Sequence, residues 1–499
     1  MGISGTISSS TFPFKVASSY IYYLDLPNCT SIHASAFRSG YSRLTEVSFP
    51  ACISASTAAF NSCKSIEKVT LGFSSLTSKN FPFNMAKSTI TEIHFPNCTT
   101  IGDSVFGTAS WVSDSTGETY TVKAIYPNIT IADFPNCTNI GIAAFAGCNS
   151  LSSINIPNCT AIGSSAFVYC FSLTSINLPK CSIIYSEAFY DARLISISLP
   201  KCLTIGYGAF SRSPNLTSVN LPACTEVGDY AFYRCSSLTS VNLPACTEVG
   251  DYAFYRCYSL TSVNLPVCTT LSTNAFGYCS SLTSINLPAC TTLFNAFAHC
   301  ASLTSISLPA CTTIGNGAFS NCSSLTSVSL PACTSLSDST FVNCTSLRNI
   351  YIPNCSTIGR GAFINCTNLL ELYLPSCIQI STSAFQGCAS IYDVYFPLCK
   401  TIGIGAFQYC TDLYYMDLQV CSNISDSAFM GCTSLYKVYI YASFRANLTG
   451  PSVFYQTPIT DSSYLGYFGS IYVPASLVSV YKVASYWSDI ADRITAIPT

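Results

Sequence analysis

Cysteine is the residue in this chain with the most chemistry to offer. There are 30 cysteines in 499 residues, enough for a disulfide framework, a metal ladder or a set of nucleophiles. Their spacing is regular. One column contains Cys224, Cys246, Cys268 and Cys290, and a second contains Cys235, Cys257, Cys279 and Cys300. The two columns alternate about 11 residues apart, so CxxC pairs and zinc-knuckle spacings do not occur. Coils stacked at a strand spacing of about 4.8 Å would set neighbouring thiols of one column slightly too far apart for an easy disulfide. The reading favoured is small buried thiols that fill the core and donate to loop carbonyls. Scattered disulfides or a metal ladder are the rivals.

Other reactive types are sparse. The histidines are His33, His94 and His299, with no HExxH pair, and no GxSxG elbow is present. Gly-x-Gly recurs at Gly206/Gly208, Gly315/Gly317, Gly359/Gly361 and Gly403/Gly405 without the third glycine of a nucleotide loop. Sequons such as Asn136, Asn158, Asn343 and Asn365 mostly carry Cys in the middle and follow from the repeat. The expectation is a non-enzymatic protein with no cofactor and no metal.

The elements behind these columns are copies of one module. LTSVNLPACTEVGDYAFYRC spans Leu216–Cys235 and recurs unchanged at Leu238–Cys257. Within it Leu216, Val219, Leu221, Cys224 and Val227 form LxxLxLxxCxxL, which resembles the leucine-rich-repeat consensus. Val219 and Leu221 should point inward from a short strand, and Ser218 and Asn220 outward. Pro222 ends the strand, and Ala231–Phe232 should fill the space under the opposite wall. A lone unit cannot bury these residues; stacking does. The predicted fold is an α/β-type repeat solenoid of about twenty coils, mostly β and loop, with a parallel sheet on one face and a short C-terminal helical cap. Residues 1–20 are read as an N-terminal cap. Residues 21–136 are irregular leading repeats with an insertion near 107–128 that holds Trp111 and the turn at Asp114–Glu118. Residues 137–440 are regular repeats, and 441–499 are a degenerate coil and cap. In the cap, Leu477, Val480, Tyr481 and Ala484 fit one helical face, after a last strand at Ile471–Pro474.

The totals limit the partners. Charged residues make up 9% and the formal charge is −2 with no basic run, which argues against nucleic acid, whose binding rests on neutralised phosphates. No apolar stretch reaches the ~20 residues of a membrane span. The start shows no secretory signal pattern, and so many free thiols suit reducing conditions. The outward strand positions supply the candidate binding face. In the middle coils they are Thr, Ser and Asn; later they become Tyr351, Tyr373, Tyr395 and Tyr439, with Asp417 interrupting the column. Beside them run Glu371, Asp393, Tyr415 and Lys437, flanked by Tyr392, Tyr414 and Tyr436, with a smaller echo at Tyr22, Tyr23 and Asp25. Tyrosine offers area and a hydroxyl for recognition; it is also simply a good strand residue.

The unit LTSVNLPACTEVGDYAFYRCSS closely resembles the BspA-like leucine-rich repeats, marked by IxxxAFxxCxxL. That run appears as Ile162–Leu173 and Ile402–Leu413. The tail from Ile471 is similar to the closing segment of such proteins. The resemblance implies a surface adhesin or interaction protein whose partner is a protein or carbohydrate on a host or neighbouring cell surface. The alternative is a virion-associated phage component, structural or host-recognising, acting as a rigid spacer. The expected location is accordingly the cell surface or a virion.

Overall fold

The computed structural model describes residues 5–8, 18–34, 36–37, 40–114, 117–464, 466 and 468–498. The expected cap at 1–20 is therefore seen only at 5–8 and 18–20. The chain divides into two compact units, Met1–Cys246 and Thr247–Thr499. Each is a stack of short parallel strands, and together they carry about 21 turns. Among the described residues, no helix is long and apolar enough to cross a membrane.

One coil of the first unit shows how the module folds. The strand Ser218–Asn220 buries Val219 at 3% exposure and turns Ser218 and Asn220 away. Its register with the coil before is Ser196↔Ser218, Ile197↔Val219 and Ser198↔Asn220. Pro222 has no N–H to leave unpaired, and the turn closes when the Cys224 amide donates to the Leu221 carbonyl at 3.2 Å. A two-residue strand, Glu226–Val227, pairs with Thr204–Ile205. The back wall has no strand, yet it is still stitched. There the amides of Gly208, Phe210 and Arg212 donate to the carbonyls of Asp229, Ala231 and Tyr233 at 2.7–2.9 Å. Three walls of each such coil thus satisfy their backbone on a neighbouring coil, as buried polar groups require.

Phenylalanine and cysteine fill the interior. In the first unit Phe145, Phe167, Phe189, Phe210 and Phe232 stack with ring centroids 5.2–5.3 Å apart and planes within 8°. In the second unit the stack runs from Phe254 through Phe429 to Phe454. All thirty cysteines are free and buried. The two columns make different bonds. In the first, Cys224 Sγ donates to the Glu226 carbonyl of its own coil at 3.2 Å. In the second, Cys235 Sγ donates to the Phe210 carbonyl of the preceding coil at 3.1 Å, so the thiol ties coil to coil. Burial pushes Cys148, Cys235, Cys322 and Cys432 up to about 12, against the usual 9.0. Cys29 and Cys377 go the other way, because the thiols of Cys52 and Cys399 donate to them.

The recurrent Gly-x-Gly has a steric meaning. A Cβ on Gly403 would lie 2.6 Å from the Ser381 carbonyl carbon of the preceding coil. Gly405 instead holds φ +60°, and a Cβ there would meet nothing nearer than 3.4 Å. The first glycine allows coils to approach and the second supplies the left-handed turn. Coils without the second glycine place Tyr230, Tyr252 or Asn274 at positive φ, so that position tolerates strain.

The segment near 107–128 is an antiparallel hairpin, Gly107–Asp114 with Gly117–Ala124. It leaves its coil after Phe106 and rejoins where the Ile125 amide donates to the Phe106 carbonyl at 2.7 Å. Ala109 and Val122 pack on a small-residue patch of Ala143, Ala146 and Val168, so the base of this excursion is docked. The side chains of 111–120, Trp111 among them, lie outside the described residues.

At the C-terminus two expectations are corrected. The helix is only Val478–Lys482, and Val480 is 44% exposed, so it does not share the inward face with Tyr481 and Ala484. The reason is Trp487, which closes the ring stack beyond Phe454 with centroids 6.2 Å apart and donates from Nε1 to the Ala446 carbonyl at 2.9 Å. Tyr481 meets Trp487 edge-on at 4.9 Å, and its hydroxyl accepts from the Ala446 amide at 2.7 Å. The final strand is not Ser470–Val473, which covers the Ile471–Pro474 segment; Ile494–Ala496 pairs beyond it, Ile471↔Ile494.

Two tests follow from this core. Gly403→Ala should lower stability by about 3 kcal/mol through backbone overlap, and Gly405→Ala by only about 1–2 kcal/mol of left-handed strain; denaturant midpoints report the order. The thiols give a pH dependence. An unfolded thiol loses its proton from about pH 9, whereas the folded one keeps it until about pH 12. The folded chain then holds more protons, so stability falls as pH rises through that window and is intact below it. The unfolding midpoint should be flat up to about pH 9 and drop steeply above, and a flat profile to about pH 11 would contradict the thiol assignment.

Candidate functional site

The late coils of the second unit use the same strand alternation to carry a different cargo. Ile350, Leu372, Val394, Met416 and Val438 are buried on the inward side, which forces their neighbours outward. The backbone pairing fixes who meets whom. Ser329 lies opposite Tyr351, Tyr373 opposite Tyr395, and Glu371 opposite Asp393. Further on, Tyr415 faces Lys437, and Asp417 faces Tyr439.

These residues are ordered by one another. Tyr373 and Tyr395 stack at 5.2 Å with planes 7° apart, at 57% and 50% exposure. The Tyr392 hydroxyl donates to Glu371 Oε1 one coil back. In the same sense, Tyr415 donates to Asp393 Oδ1 at 2.9 Å. The hydrogen bond that each phenol donates to its carboxylate holds it above the usual tyrosine range, with partial burial and the nearby negative charge adding to the effect. Tyr414 and Tyr436 form a flanking pair at 5.9 Å, and Lys437 Nζ sits 5.7 Å from the Tyr436 ring. Asp417 is half-buried, which raises its pKa, and Gln419 donates to it at 2.7 Å.

Apart from Tyr351, the residues picked out in the sequence thus form neighbouring groups in the second unit, on outward strand positions or, for Tyr392, Tyr414 and Tyr436, immediately ahead of the strand. Tyr351 stands apart, more than half exposed, and helps line a shallow groove of about 640 Å³ together with Ser305, Ile306, Ser327 and Val328. Sequence reasoning missed Tyr472, which pairs with Tyr439 in register and stacks on it at 4.6 Å. It also missed Tyr441, 6.1 Å from Tyr439. The signal was there: IYV, read from the sequence as the last strand, repeats the outward tyrosine of KVYI.

A second charged row on the outward strand positions of the first unit had also gone unnoticed. Glu46, Lys68 and Glu92 occupy successive opposite positions, so the sign of charge alternates. Lys68 reaches Glu92 at 3.1 Å, and His94 lies between Glu92 and Asp133 at 3.8 and 3.5 Å. Asn155 donates to Asp133 at 2.7 Å. The Tyr22 hydroxyl accepts from Arg43 at 3.3 Å. Among the described residues no set of three His, Cys, Asp or Glu is arranged to hold a metal ion.

Comparison with known proteins identifies the repeat that carries these side chains. The model of the "BspA type Leucine rich repeat region (6 copies)" matches residues 6–126, 123–227, 203–295, 291–414 and 376–472. A leucine-rich repeat protein from Bacteroides ovatus is 24% identical, with 81% of this chain and 94% of that one covered, at a TM-score of 0.48. A leucine rich cell surface protein from Faecalibacterium prausnitzii is 23% identical over 72% of this chain and 81% of its own, at a TM-score of 0.30. The T. pallidum leucine rich repeat protein is 30% identical, covering 38% of this chain and 82% of its own, also at 0.30. No curated protein sequence matches the chain. The repeat model spans nearly every coil, and the chain belongs to the BspA-type leucine-rich repeat family.

Proposed function

We propose that this is a non-enzymatic recognition protein that binds a protein partner on a host or neighbouring cell surface through the tyrosine-rich outward positions of its late coils. Leucine-rich repeat proteins bind proteins, and the outward sheet positions of a solenoid are the usual binding face. One observation carries the choice of coils. Tyr373 and Tyr395 are stacked and half exposed, with their neighbours Tyr392 and Tyr415 tied down by carboxylates. Rings already ordered lose little entropy on contact, which is what a recognition surface needs. Strand propensity alone would favour tyrosine, but it gives no reason for the paired acids.

The test is an array of purified extracellular-matrix proteins, cell-surface proteins and glycans probed with the full chain. Tyr373→Ser, Tyr395→Ser and Tyr439→Ser together should weaken capture of the array ligand at least tenfold, about 1.4 kcal/mol or more. Removing two coils ahead of the tyrosines, residues 260–302, should leave capture intact. Unchanged capture by the triple variant would sink the reading and favour a rigid spacer of the virion type, whose ends matter more than its face.

A further inference from the structure

We infer that the Tyr373–Tyr395 surface takes a cationic segment of its partner, an exposed stretch bearing arginine or lysine, rather than a neutral sugar. The inference rests on the binding reading above and names the chemistry of what is bound.

The charge pattern is the starting point. In the first unit the outward row alternates sign, with Lys68 between Glu46 and Glu92. Opposite charges at facing positions stabilise a sheet, and like charges destabilise it. In the late coils Glu371 faces Asp393, two like charges on adjacent strands. Neither forms an ion pair among the described residues. Each accepts a hydrogen bond from a neutral phenol, Tyr392 or Tyr415. That satisfies lone pairs but leaves the negative charge in place. A chain with few charged residues has placed two repelling ones side by side between exposed rings.

The rings point the same way. Elsewhere this chain covers tyrosine with its own arginine: Arg234 lies 5.2 Å from the Tyr233 ring, and Arg212 lies 5.9 Å from that of Tyr190. Among the described residues no cation of the chain lies over Tyr373 or Tyr395. A guanidinium arriving from outside could lie on a tyrosine ring and fork onto a carboxylate at once. It would relieve the Glu371–Asp393 repulsion as it bound. A neutral glycan could donate hydroxyls to the carboxylates but would bring no charge to offset their repulsion.

The experiment uses the full chain and a fluorescein-labelled twelve-residue peptide of alternating Arg and Ser, read by anisotropy, beside the same peptide with Glu for Arg and a neutral maltohexaose. The Arg peptide should bind and the Glu peptide should not. Binding should weaken at least tenfold between low salt and about 0.3 M salt, where exposed charges are screened. Glu371→Gln with Asp393→Asn keeps an acceptor for each phenol while removing the charge. It should cost at least tenfold in peptide affinity and leave the unfolding midpoint unchanged or raised, since the repulsion is gone. Arg-peptide binding that ignores this double variant, or maltohexaose bound in preference, overturns the inference. Loss of array capture in the tyrosine variant without any Arg-peptide binding would leave the recognition role standing and remove only the cationic partner.

Discussion

A coil of about 22 residues cannot satisfy its own backbone or cover its own apolar side chains; it must do both on its neighbours. In the coil from Leu216, the sheet wall, the two-residue strand and the strandless back wall all donate or accept across the coil boundary. Everything inside follows from that dependence. A phenylalanine at one fixed position per coil meets the next ring in near-parallel stacking. A cysteine beside it is small enough to leave the spacing intact, yet still has a hydrogen to give to the carbonyl behind it. Serine can serve there too, as Ser213 does by donating to the Phe189 carbonyl at 3.2 Å, but it brings a more strongly hydrated hydroxyl into the core. The end of the stack needs a lid, and Trp487 with Tyr481 supplies one in the second unit.

With the interior committed, the outward strand positions are free to vary, and they do so with direction. Ser and Asn occupy them through the middle coils, and tyrosines with carboxylates in the late ones. The Glu371–Asp393 pair departs from that pattern by setting two like charges at facing positions, where the middle coils carry serine and asparagine.

Much of this was legible before any coordinates. Exact duplication at Leu216–Cys235 and Leu238–Cys257 sets the period, and period alone separates inward from outward residues such as Val219 and Ser218. The cysteine columns could be read as core from their spacing, because coil height and disulfide length differ. What escaped depended on contacts distant in sequence. Val480 matched a helical face by spacing, but the helix is a single short turn anchored by Trp487 and Tyr481 on Ala446. Ile494–Ala496 had no alternation to betray a strand, since it is held by pairing with Ser470–Val473. The docking of Ala109 and Val122 on Ala143 and Ala146 needed the fold. The tyrosine columns were visible as residues, but the like-charge register beside them became clear only when Glu371 and Asp393 were seen to face each other.

The central claim is that the thirty cysteines are free core thiols whose inertness comes from stacking, and a thiol count tests it directly. The protein, purified without reductant, is treated with an aromatic disulfide reagent first in the native state and then in guanidinium chloride. The account predicts that the native protein reacts negligibly and that all 30 thiols react once the coils come apart. A shortfall after unfolding would mean that thiols are paired or bound, and rapid reaction in the native state would mean that the coils do not bury them. Either result would contradict the account.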